Sequence, residues 1–279
     1  MSRPFNSELV LDEKICEAKL RAYHVGFEQN KFRLKPLANI IAQVIPEFAY
    51  GMHEPTPDLT ELWNRVRDAA RLIYTTNNFK RRGEFGELVL HLLLRDFCGT
   101  IPLISKIYFK DTRNAAVHGF DGIHVEIKGE VRKLWLGESK IYGDGLKGIK
   151  SLVSDIKAHF TSDYLRSEFG LISKKIPKDF PERDYWIKLM HENQTLDKIF
   201  SSICIPCVCT YSSDLFKNYD SESEKYFETF KKECHALRVE FEKGHSRTDI
   251  EIILLLLPIE SKEDLVNELD QKLKSARTL

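Results

Sequence analysis

A glutamate and a lysine two residues apart, Glu138 and Lys140, stand inside an otherwise apolar stretch, Leu134-Trp135-Leu136-Gly137-Glu138-Ser139-Lys140-Ile141-Tyr142. The flanking apolar and aromatic residues, with Gly143 and Gly145 behind them, predict a buried strand ending in a turn. Side chains alternate along a strand, so both charges emerge on one face. Burying a carboxylate and an ammonium is costly unless they pair or bind something, and a metal site would meet that cost. Glu-x-Lys also occurs at Glu17/Lys19, Glu126/Lys128 and Glu260/Lys262. Context separates the four. Glu17 lies in a polar N-terminal segment that reads as helix. Glu126/Lys128 runs into Gly129-Glu130, a solvent-facing hairpin end. Glu260 precedes a helix capped by Ser261, with Glu263 and Asp264 in its first turn.

The elements around this strand bring further acids into play. Lys80-Arg81-Arg82-Gly83-Glu84-Phe85-Gly86-Glu87 opens a strongly apolar helix through Leu94, which Gly99 ends. Pro102–Lys110 is expected as a strand, Asp111–Asn114 as a turn, and His118–Ile127 as a second strand carrying Asp121. Leu134–Tyr142 is the third strand, and Leu146–Phe160 is a helix with Lys147, Lys150 and Lys157 on its polar side. After an insertion at 161–200 come a strand at Ile203–Tyr211, a helix at Ser221–Cys234, strands at Leu237–Phe241 and Asp249–Leu257, and a helix at Lys262–Ala276. Upstream, Ala22–Phe27 reads as a strand, with helices at Lys35–Ile45 and Leu59–Tyr74. The order helix, three strands, helix, strand describes an α/β domain at 80–279 with one central sheet, behind an N-terminal accessory region at 1–79.

Asp121 and Glu138 are 17 residues apart, a spacing that fits adjacent strands joined by a hairpin. With Glu87 from the first core helix, they would form the hard oxygen set that Mg²⁺ or Mn²⁺ prefers. Such an ion lowers the pKa of bound water and stabilises charge building on a phosphate. Lys140 would hold the attacking water or the scissile phosphate as a point charge.

Composition sets the frame. The 279 residues are 42% hydrophobic and 30% charged, an ordinary globular balance. The 42 basic and 42 acidic residues cancel, so any nucleic-acid partner must be met by local patches. Arg81, Arg82, Lys147 and Lys150 flank the site and are the candidates for phosphate contact. There is no apolar leader after Met1, and the longest apolar run, Ile252–Pro258, is too short to span a bilayer, so the chain reads as cytoplasmic. The six cysteines read as free thiols. Cys204-x-x-Cys207-x-Cys209 lies in a β-like apolar run without a second ligand pair, which favours core packing over zinc.

Glu87, Asp121 and Glu138-Ser139-Lys140, on elements in this order, resemble the PD-(D/E)XK nuclease superfamily. Arg81-Arg82-Gly83-Glu84-Phe85-Gly86-Glu87, Pro102-Leu103-Ile104-Ser105-Lys106, Gly119-Phe120-Asp121-Gly122-Ile123-His124 and Leu136-Gly137-Glu138-Ser139-Lys140 together resemble one branch of it, the HamA family of nuclease subunits in the bacterial Hachiman anti-phage system. Phe120, not proline, precedes Asp121. The resemblance implies a restriction-endonuclease-like core, with Mg²⁺ or Mn²⁺ held by Asp121, Glu138, the Ser139 carbonyl and Glu87. It further implies DNA as substrate and a helicase partner, HamB, in a heterodimer. Glu84 is the alternative to Glu87 as the helix acid. The rival readings are a stand-alone restriction or repair nuclease, and a non-catalytic subunit that regulates a helicase.

Overall fold

The computed structural model describes residues 3–51, 58, 60–73, 83–105, 119–159, 161–245 and 250–278. The strands are β1 (Asp12–Cys16), β2 (Leu20–His24), β3 (Phe27–Glu28), β4 (Lys31–Phe32), β5 (Ile101–Ser105), β6 (Gly122–Lys128), β7 (Val131–Tyr142), β8 (Ile203–Ser212) and β9 (Glu251–Ile259). The helices are α1 (Leu34–Gln43), α2 (Ile45–Tyr50), α3 (Leu62–Ile73), α4 (Glu84–Asp96), α5 (Gly145–His159), α6 (Ser162–Lys175), α7 (Arg183–Leu189), α8 (Leu196–Phe200), α9 (Leu215–Asn218), α10 (Glu224–Gly244) and α11 (Lys262–Arg277).

One seven-stranded sheet runs β1-β2-β9-β8-β7-β6-β5, and β3 and β4 form a separate hairpin. The centre is parallel: β2, β9, β8 and β7 share a direction, while β1 at one edge and β6 with β5 at the other are antiparallel to their neighbours. This is the mixed α/β sheet flanked by helices that the sequence implies. β8 and β9 are buried nearly throughout, as strands covered on both faces must be. β2 pairs onto β9 at Leu20–Leu254 and β1 pairs onto β2, so the first strands extend the same sheet.

Helices cover both faces. α4 is buried from Phe85 to Leu94 because the sheet lies beneath it and α1 and α2 above it. Its close seat depends on Gly137, where an added Cβ would stand 2.7 Å from Leu90 Cδ2. Gly86 of α4 abuts the Ser139 side chain, so odd-numbered β7 residues near the site face α4. On the other face, Gly148 of α5 packs against Tyr142 and Cys209, so even-numbered β7 residues face α5.

Three expectations change. The segment around Glu17 is not helix: Asp12–Cys16 is the sheet's edge strand β1 and Glu17 follows it, its amide bonded to the Leu20 carbonyl. Charges at an exposed edge guard against further strand pairing, and they make the segment look helix-like in composition. Leu237–Phe241 is not a strand. Tyr226, Phe230, Cys234, Leu237 and Phe241 form one buried stripe at helical spacing, so α10 continues through it from its Ser223 cap. Asp121 lies one residue ahead of β6, not within a strand, although its amide already bonds to the Gly137 carbonyl at 2.9 Å. The expected turn at Asp111–Asn114, and the parts of the expected strands beyond Ser105 and before Gly119, lie outside the described residues.

The Gly137–Leu90 contact yields a stability prediction. Gly137→Val should destabilise the fold by about 2–3 kcal/mol in urea unfolding, through overpacking against Leu90. Adding Leu90→Ala should give less than the sum of the two single losses, because both act on the same contact.

Candidate active site at the end of strand β7

The described structure brings Asp121, Glu138, Ser139 and Lys140 together. Asp121 Oδ2 accepts from the Ser139 amide and the Ser139 hydroxyl, each at 2.9 Å. These bonds tie the residue before β6 to β7. Glu138 and Lys140 point to the α5 face, as strand alternation requires. There they meet two residues that sequence reasoning missed. His159 Nδ1 lies 2.6 Å from Glu138 Oε1, and Lys140 Nζ forms an ion pair with Asp155 Oδ2. Asp155 and His159 are four apart on α5, hence on one helix face. That spacing is visible in the sequence, but only the packing shows that this face meets β7.

His159 is held by aromatic neighbours. Its ring stacks on Tyr164 of α6, with centroids 4.7 Å apart and an interplanar angle of 8°. Phe120 meets both rings edge-on, at 6.2 Å from His159 and 6.0 Å from Tyr164. Gly119, at φ +139°, places the chain close to buried Glu168 of α6, another acid missed by the sequence, and a Cβ there would lie 3.0 Å from Glu168 Oε2.

Burial dominates the electrostatics. Glu138 is 1% exposed, and burial pushes its pKa up to about 7 despite the His159 hydrogen bond, with the Asp121 and Asp155 charges adding to the rise. His159 is raised, first by its bond to Glu138. Burial works to lower Lys140, but the Asp155 hydrogen bond and the charges of Asp121, Asp155 and Glu138 outweigh it and hold the ammonium above its ordinary value.

The other sequence candidates lie on the helices around this strand or outside the described residues. Glu87 is buried in the first turn of α4, next to Gly86, so its helix covers the face opposite the one Glu138 and Lys140 use. The two faces approach each other through Asp121 and the Ser139 hydroxyl. Lys147 and Lys150 are exposed on α5, where Lys150 acts on Glu240 of α10. Arg81 and Arg82 lie outside the described residues. His124 is a structural histidine. Thr100 donates its hydroxyl to the Leu94 carbonyl, so His124 Nδ1 must donate to Thr100, and burial holds the imidazole well below its ordinary pKa. Cys204 and Cys207 differ in parity along β8 and so point to opposite faces; both are free thiols, as is Cys209, whose pKa burial raises to about 12.

The donor set suits a hard cation. Among the described residues no three His, Cys, Asp or Glu side chains stand together as a ligand cluster, so an ion here would rest on fewer protein side chains. Mg²⁺ needs less: one or two carboxylates, with water and substrate oxygens completing the octahedron. Asp121, Glu138 and the Ser139 carbonyl are the groups here that could supply such ligands. The three carboxylates Asp121, Glu138 and Asp155 also outnumber the two basic groups they face, Lys140 and His159.

The raised Glu138 pKa predicts a pH-dependent stability. A carboxyl whose folded-state pKa exceeds its unfolded value of 4.5 binds a proton on folding, so it favours the fold most below 4.5 and progressively less up to about 7. The stabilisation from His159, raised above 6.5, is likewise lost as pH climbs through its folded pKa. Glu138→Gln, which keeps an acceptor for His159, should therefore stabilise the metal-free chain at pH 8 by about 1–3 kcal/mol. The gain should fade toward pH 4.5 in thermal melts. A destabilised Gln variant at pH 8 would contradict the burial account.

The HamA family model matches residues 3–273, nearly the whole chain. No curated protein sequence matches it. With its α/β sheet and its Gly137-Glu138-Ser139-Lys140 strand, the chain belongs to the HamA family, the family of the Hachiman anti-phage defence system.

Proposed function

We propose that this chain is the metal-dependent deoxyribonuclease of its defence system, delivered to DNA by a partner helicase of the HamB kind in a heterodimer. One observation carries the reading: a fully buried carboxylate, Glu138, shares strand β7 with Lys140, and Asp121 is bonded to Ser139 between them, an arrangement costly to maintain in a purely structural or binding subunit. Asp121, Glu138 and the Ser139 carbonyl would hold Mg²⁺ or Mn²⁺, with Glu87 contributing from the α4 side. A bound divalent ion supplies Lewis acidity and a more acidic water at the phosphate. Lys140 is kept protonated by its acidic surroundings and presents an ammonium to the attacking water or the scissile phosphate. Hydrolysis is direct, without a covalent enzyme intermediate.

A formal charge of zero gives the chain little general attraction for DNA. Lys147 and Lys150, both exposed on α5, would be the described residues to contact phosphates. Delivery by a translocating helicase would raise the local DNA concentration and restrain cutting of host DNA. Among the described residues no helix is long and apolar enough to cross a membrane.

DNA cleavage by the chain with its partner should require Mg²⁺ or Mn²⁺ and stop on chelation. Lys140→Ala should slow it by about 10²–10³-fold, as loss of one charged transition-state contact does elsewhere. The double variant Glu138→Ala, Lys140→Ala should fold, keep its partner and lose phage protection. Retained protection would instead favour a non-catalytic helicase regulator. Equal cutting by the isolated chain and the complex would refute helicase delivery and favour a stand-alone nuclease.

A further inference from the structure

The helix after the catalytic strand repeats that strand's spacing. Glu138 and Lys140 are two residues apart on β7, a rise of about 6.7 Å along a strand. His159 and Asp155 are four apart on α5, a rise of about 6 Å along a helix. α5 follows β7 in a crossover to parallel β8, so helix and strand run in opposite directions. The later helix residue, His159, therefore meets the earlier strand residue, Glu138, and Asp155 meets Lys140. Both reactive side chains thus have a dedicated partner from one helix face.

We propose that Asp155 and His159 are a positioning pair: His159 donates to Glu138 Oε1 and so turns the other carboxylate oxygen to a divalent cation, while Asp155 aims the Lys140 ammonium. Partners of this outer kind fix the rotamers of metal-binding side chains. The stack on Tyr164 and the edge of Phe120 fix the His159 ring in turn. A histidine needed only for packing would not require a nitrogen at 2.6 Å from the carboxylate. The inference rests on the nuclease reading, because it assigns the pair a role toward the metal and the lysine of that site.

Two substitutions of one residue separate the hydrogen bond from the packing. His159→Phe keeps a flat ring against Tyr164 and removes the donor. His159→Asn keeps an N–H near the position of Nδ1 and gives up the stack. Titration calorimetry of Mn²⁺ into the full chain should show binding weakened about 10–100-fold in the Phe variant and within about threefold of wild type in the Asn variant. Asp155→Asn should lower kcat for DNA hydrolysis at saturating Mn²⁺ with Mn²⁺ affinity unchanged. Equal affinity in wild type and the Phe variant, or a weak Asn variant beside a tight Phe variant, would overturn the role of His159. Unchanged kcat in Asp155→Asn would overturn that of Asp155. Absence of saturable Mn²⁺ binding in wild type up to millimolar concentration would remove the metal reading itself, and the positioning pair with it.

Discussion

The carboxylate of Glu138 is the constraint around which the rest of the molecule is arranged. It sits in the middle of a seven-stranded sheet, almost without solvent, where an isolated negative charge would be untenable. Its strand is held on one side by parallel β8 and on the other by antiparallel β6. The same strand brings the lysine two residues on to the same face. Asp121 arrives through the β6–β7 pairing and is locked by two bonds to Ser139. Around one buried charge the fold assembles an acid, a base and a hydroxyl at fixed distances.

The two helical layers contribute differently. α4 is seated tightly by Gly86 and Gly137, and it fixes the strand end from behind. α5 faces the charges directly and answers each with a partner. The consequence is a site that is electrostatically strained and geometrically stiff: a carboxylate shifted to about 7, a lysine held above its ordinary pKa, and a histidine stacked on Tyr164 with Phe120 edge-on to both. In the proposed reading, a divalent cation held by two carboxylates and a carbonyl would relieve this charge.

Much of this was legible in the chain. Alternation alone put Glu138 and Lys140 on one face, and the apolar context marked their strand as buried. Ser261 announced the last helix and does cap it, accepting from the Asp264 amide at 3.2 Å. The partners of the reactive pair were not legible. Asp155 and His159 are ordinary members of an amphipathic helix until the helix is docked, because spacing shows which residues share a face and not what the face meets. Leu237–Phe241 failed for a related reason: a short apolar run looks like a strand unless the stripe is followed back to Tyr226. β1 was hidden by edge charges. Glu87 could be assigned to the right helix but not to a side of the sheet, because that depends on the glycine contacts that seat α4.

The most direct test is crystallographic. Anomalous diffraction from crystals of the chain grown with Mn²⁺ should show a peak bounded by the Asp121 and Glu138 carboxylates and the Ser139 carbonyl, absent from crystals of Glu138→Gln. A chain that cuts DNA in Mn²⁺ yet shows no peak there, or shows its only peak elsewhere, would contradict the account.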